Sequence, residues 1–64
     1  MDYKDRVRIE YDELSAKTAK LASFMNGEIY ARLGAEEKQD LQDQLTLMRA
    51  YLALLTRRIK RFNG

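Results

Sequence analysis

Two apolar stripes at heptad spacing constrain this chain more than anything else in it. Val7, Tyr11, Leu14, Thr18, Leu21 and Met25 step by four and three, with a single threonine among them. Leu41, Leu45, Met48, Leu52, Leu55, Ile59 and Phe62 repeat the same steps without a break. That spacing places each set on one side of an α-helix. The second stripe has a companion row, Leu47, Tyr51 and Leu54, about a third of a turn away. One partner helix covers the first row but not both. The pattern therefore predicts a hairpin that buries one seam internally and offers a second row to other copies of itself.

Length sharpens that expectation. A chain of 64 residues makes one domain at most. Domains this short bury only about 60% of their unfolded surface and usually need a disulfide, a metal or an oligomer. With no cysteine and no histidine, disulfides, thiolate sites and the commonest metal ligand are excluded. Oligomerisation is the remaining support. The same absences remove Cys–His and Ser–His chemistry, so no enzyme activity and no cofactor are expected. No apolar run approaches the roughly 18 residues of a membrane span, and no signal peptide is visible, which points to the cytoplasm.

The fold expected is all-α: one domain over 1–64, an antiparallel two-helix hairpin that forms a homo-oligomer. Helix 1 should run from about 3 to 25, and helix 2 from about 35 to 62, with a connection over 26–34. Asp2 and Asp5 suit the positive end of helix 1, and Lys17 and Lys20 lie towards its negative end. Asn26-Gly27 reads as a stop, with Gly27 able to take the left-handed C′ conformation. Ile29, Tyr30 and Leu33 have helical spacing and could form one turn plugging the end of the hairpin. Gly34 marks the entry to helix 2, where no ideal capping side chain stands.

Charge is distributed unevenly. Residues 1–43 hold ten acids and seven bases, a net of −3, whereas 44–64 hold five bases and no acid, a net of +5. In a hairpin, Lys4, Arg6 and Arg8 meet Arg57, Arg58, Lys60 and Arg61 at the open end. Arg57 and Arg61, spaced i,i+4, can clamp a phosphate or a planar base, and Arg58 continues the Leu47–Tyr51–Leu54 row. A cationic last turn also favours the helix dipole, but that does not account for twenty-one residues without an acid. Phe24 and Tyr30 flank the turn, where they either close the core or stack on a base. Lys17 and Lys20, i,i+3 on helix 1, either face solvent or reach an anion. Asp40 and Asp43 read as solvated charge at a helix start.

The residue order resembles a family of small phage proteins, the helical hairpin domain shared by anti-CBASS and anti-Thoeris sponge proteins. The resemblance rests on 10–25, on the short connection 29–33, on 36–59 and on the basic last turn. In that pattern Tyr11, Leu14, Lys20, Leu21 and Phe24 stand on the first helix. Leu41, Gln44, Met48, Tyr51, Leu55, Arg58 and Ile59 stand on the second. The resemblance implies a compact helical oligomer, commonly a hexamer. It implies sequestration of cyclic di- or oligonucleotide signals in pockets between protomers, without cleavage, in the host cytoplasm. The resemblance carries over the basic last turn with Arg57 and Arg61 as ligand contacts. The placement of the residues themselves adds Arg58, Lys20, Tyr30 and Phe24 as candidate ligand contacts and Leu47, Tyr51 and Leu54 as the oligomer interface.

Two other readings stay open. The Leu47–Tyr51–Leu54 row could dock a protein partner, making the chain a small interaction module or inhibitor. Nucleic-acid binding through the basic end is disfavoured by a formal charge of only +2 and by the acids interleaved on helix 1.

Overall fold

Asp2 starts the first helix by taking extended backbone and accepting a hydrogen bond from the Asp5 N–H at 3.0 Å. In the computed structural model, which describes residues 1–63 with the Asn63 side chain left aside, α1 then runs Tyr3–Phe24. Gly64, counted in the expected 1–64 domain, lies outside the described residues. Three further bonds close the end of α1. Met25 N–H donates to Leu21 O at 3.0 Å, Asn26 N–H to Ser23 O at 3.1 Å and Gly27 N–H to Phe24 O at 3.0 Å. The last two are i→i−3 bonds, a tightened final turn that satisfies carbonyls otherwise left open.

That ending corrects one expectation. Gly27 does not adopt a left-handed conformation; it is extended, with φ −97° and ψ 175°, and no described residue has positive φ. The tightened turn already satisfies the carbonyls, so the chain needs no left-handed reversal. Gly27 instead caps the next helix, α2, Glu28–Ala31, with its carbonyl accepting from Ala31 N–H at 3.3 Å. This is the plug drawn from Ile29, Tyr30 and Leu33, with one difference: Tyr30 and Leu33 are half-buried, while Ile29 is 67% exposed. Nor does a base stand in the last turn of α1, since Lys20 lies one residue before it.

The third helix, α3, spans Ala35–Asn63. The Gly34 carbonyl receives Lys38 N–H at 3.0 Å, so Gly34 is its capping residue. Glu36 and Glu37 in the first turn and Lys60 and Arg61 in the last complement the helix dipole.

α1 and α3 pack antiparallel. The Tyr3 ring meets Phe62 at 5.5 Å between centroids, and Glu10 meets Tyr51, so the start of α1 lies against the end of α3. The result is a rod of 45 × 16 × 14 Å. Its seam is thin. Val7, Leu45 and Leu55 are buried, and among the described residues Leu55 alone of the large side chains is wholly enclosed. Thr18, the lone threonine of the first stripe, is buried too, and its hydroxyl donates to Leu14 O at 2.7 Å. That internal bond removes the cost of an unpaired hydroxyl in an apolar seam. Tyr11, Leu14, Leu21, Met25, Leu41, Met48, Leu52, Ile59 and Phe62 are half-buried. Most of the two stripes is therefore only partly covered within one hairpin.

A candidate anion site at the open end

Helix pairing alone brings cations and rings together at the open end. Tyr3 and Lys4 come from the first turn of α1, and Arg58, Arg61 and Phe62 from the last turns of α3. These five line a shallow depression of about 380 Å³. Phe62 is its floor. The Tyr3 ring stands nearly perpendicular to it, at an interplanar angle of 87°. Lys4 Nζ and the Arg8 guanidinium each lie 5.8 Å from its centroid. Both cations are within the range of attraction to the ring face. Arg8 is also steadied by Asp5 at 3.7 Å, a largely exposed pair that holds position more than it stabilises.

The arginines divide. Arg58 and Arg61 line the depression, while Arg57, the expected partner of Arg61, does not. At 100° per residue Arg57 lies about 40° from Arg61 but about 100° from Arg58, so it stands at the margin of the side that Arg58 and Arg61 share. The clamp on this wall is therefore i,i+3 rather than i,i+4. Among the described residues, no ion pair engages Arg57, Arg58 or Arg61 within the chain.

The aromatic residues expected to join them lie at the other end. Phe24 and Tyr30 stack edge-to-face, with centroids 6.4 Å apart. Tyr30 is held by its neighbours. Its hydroxyl donates to Lys38 O at 3.5 Å and accepts from Gln42 Nε2 at 2.9 Å, and Lys38 Nζ sits 5.8 Å from its ring. Twenty residues of α3 separate Lys38 from Arg58, a span of about 30 Å. Within one chain, Lys20, Phe24 and Tyr30 therefore cannot share a site with Arg57, Arg58 and Arg61. The hairpin that gathers the cations sends the turn aromatics to the far end.

The companion row stands on bare helix. Leu47 is 70% exposed, Tyr51 40% and Leu54 41%. Leu47 and Tyr51 line a second open depression with Asp40, Asp43, Gln44 and Met48. Tyr51 also reaches back across the seam to donate to the Glu10 carboxylate. That bond is the main reason its phenol is held above the ordinary tyrosine range; desolvation and the nearby Glu10 charge act the same way, and Arg58 opposes them. Sequence reasoning missed Phe62 as a site residue because its heptad position reads as core. It missed Tyr51 as a strut because nothing local pairs it with Glu10.

A helical hairpin with a bare apolar row and a basic end that carries Tyr3 and Phe62 defines a small all-α protein with a candidate anion site. The pattern of the Sequestin family matches residues 1–61, and this chain belongs to that family. It is also similar to an uncharacterized 7.5 kDa protein from the denB-rIIB intergenic region of Enterobacteria phage T4. The two are 33% identical over 60 residues, covering 94% of each chain. No solved structure matches it. Among the described residues, no helix is long and apolar enough to cross a membrane.

Proposed function

We propose that this protein is a phage sponge. It binds cyclic di- or oligonucleotide signals between protomers in the cytoplasm of the infected cell and holds them without cleaving them. The observation that carries this reading is the depression of Tyr3, Lys4, Arg58, Arg61 and Phe62. Three cations answer the phosphates, and two rings offer faces and edges to a base. The family's name describes sequestration, and its phage relative fits a role against a host signal. A cyclic signal of two or more nucleotides exceeds what one shallow depression can cover, so a neighbouring copy would complete the pocket. Capture needs only affinity and abundance, so a chain without histidine or cysteine suffices.

Calorimetry against a panel of cyclic di- and oligonucleotides tests the proposal. Binding at micromolar concentrations or tighter is expected, with the ligand recovered intact after the protein is denatured. Silence across the panel at tens of micromolar overturns it. Lys4→Ala, and Arg58→Ala combined with Arg61→Ala, should each weaken binding.

A second reading draws on the exposure of Leu47, Tyr51 and Leu54: that row docks a host protein, and the chain inhibits it. A monomer in solution that binds no cyclic nucleotide would favour it.

A further inference from the structure

The bare side of α3 carries an ordered charge pattern. Asp40 and Asp43 stand near its start, Leu47, Tyr51 and Leu54 along its middle, and Arg58 and Arg61 near its end. At 100° per residue all seven fall within about 80° of arc. The charges at the two ends lack ionic partners: among the described residues, no ion pair engages Asp40, Asp43, Arg58 or Arg61. Asp43 accepts a hydrogen bond from the Gln39 amide at 2.9 Å, which leaves its charge unmatched. These acids and bases cannot meet within one chain, because Asp40 and Arg61 are held about 31 Å apart on one continuous helix.

A second copy laid end for end satisfies all of them at once. Asp40 and Arg61 are equidistant from the point between residues 50 and 51. So are Asp43 and Arg58, and so are Leu47 and Leu54. We propose that a second copy of this chain docks on this face, α3 against α3 and antiparallel, about a two-fold axis beside Tyr51. Asp40 and Asp43 then lie over the partner's Arg61 and the partner's Arg58, and Leu47 lies over the partner's Leu54. A two-fold contact repeats every pair, so each favourable match counts twice. A parallel arrangement would set acid on acid and base on base, and the charges select against it.

The inference deepens the between-protomer part of the sponge reading, yet needs no nucleotide to hold. It brings the turn end of one copy, where Tyr30 packs on the start of α3, alongside the basic end of the other. Tyr30, which one chain holds about 30 Å from its own arginines, then lies at the same end as the partner's Arg58 and the partner's Arg61. Each guanidinium has five N–H donors, so a carboxylate on one edge leaves another for an anion.

Sedimentation of the nucleotide-free protein tests it. The wild type should assemble with an even number of chains. Asp40→Lys with Asp43→Lys should weaken association about tenfold or more, as should Arg58→Glu with Arg61→Glu. An equimolar mixture of those two variants should regain it, because each then meets its opposite on the partner. Leu47→Lys, at the most exposed position of the row, should abolish assembly while leaving helicity unchanged. A monomeric wild type at tens of micromolar, an odd-numbered assembly, or reversals that leave the mass untouched would overturn the proposal. Nucleotide binding is absent from every one of these readings, so the sponge can fail while the two-fold stands, and the reverse.

Discussion

The Tyr51 hydroxyl donates to the Glu10 carboxylate, joining residues 41 apart in sequence across the seam between α1 and α3. This bond fastens the base of the exposed row to the opposite helix. It sets Tyr51 in one orientation beside the proposed two-fold axis, a rigid ring where a free one would lose rotamer entropy on docking.

The same bond sets a pH dependence. Glu10 accepts a proton-bearing hydroxyl, so the neutral phenol is the favoured form and its ionisation is pushed above the ordinary value of 10.0. A pKa raised in the folded state contributes stability that is fully present below the unfolded value and lost as pH rises through the folded one. The melting temperature should therefore decline above about pH 10 more steeply in the wild type than in Tyr51→Phe. Glu10→Gln should return the Tyr51 titration, followed by its absorbance change, towards the ordinary range. An unshifted titration in the wild type would refute the coupling.

Among the described residues Leu55 is the one large side chain wholly enclosed. Leu55→Ala should cost about 2–5 kcal/mol. A domain of this size has roughly 3–10 kcal/mol in total. Urea unfolding followed by circular dichroism should show the midpoint collapse or the protein unfolded without denaturant. A midpoint close to wild type would mean that assembly, rather than this seam, holds the fold.

Thr18 offers the opposite case. Its hydroxyl bonds inside its own helix to Leu14 O, so the seam does not depend on it for a partner. Thr18→Val should change stability by no more than about 1 kcal/mol, because the polar group leaves along with its bond. Thr18→Asp should cost more than about 3 kcal/mol by burying an unpaired charge. Equal losses in both variants would contradict this account of the position.

Gly34 begins α3 with no side chain, and an added Cβ would meet nothing within 4 Å. Gly34→Asp supplies both a capping acceptor and a negative charge at the positive helix end. It should stabilise by roughly 0.5–1 kcal/mol and raise the melting temperature by about 4 °C. A scanning calorimetry trace with no rise would show that the turn needs glycine for another reason.

Phe62 separates the two uses of the open end. Phe62→Leu keeps apolar bulk against Tyr3 but removes the ring on which Lys4 and Arg8 rest. If a base stacks there, nucleotide affinity should fall about tenfold, with Arg57→Ala as a control that changes it little. Equal affinity in the wild type and Phe62→Leu would move the stacking site to the turn end, at Phe24 and Tyr30.

The sequence by itself determined what depends on local repetition. Spacing of 3.6 residues decided that Val7 and Leu55 face inward and that Leu47 and Leu54 do not. Gly27 and Gly34 marked the two ends of the connection, and the acid-free stretch from Gln44 onward marked the basic end. Each of these is a property of one helix and its own turn. Only the tertiary structure decided the rest, because it depends on which end of one helix meets which end of another. The reversal at α2 put Phe24 and Tyr30 on the far side of a 45 Å rod from Arg58 and Arg61. It joined Tyr51 to Glu10, and it left Phe62, a core position by spacing, as the floor of a charged depression. The seam closes over a side chain only where the opposite helix continues past it. Phe62 stands where α1 begins, so Tyr3, Lys4 and Arg8 of that helix gather around its ring.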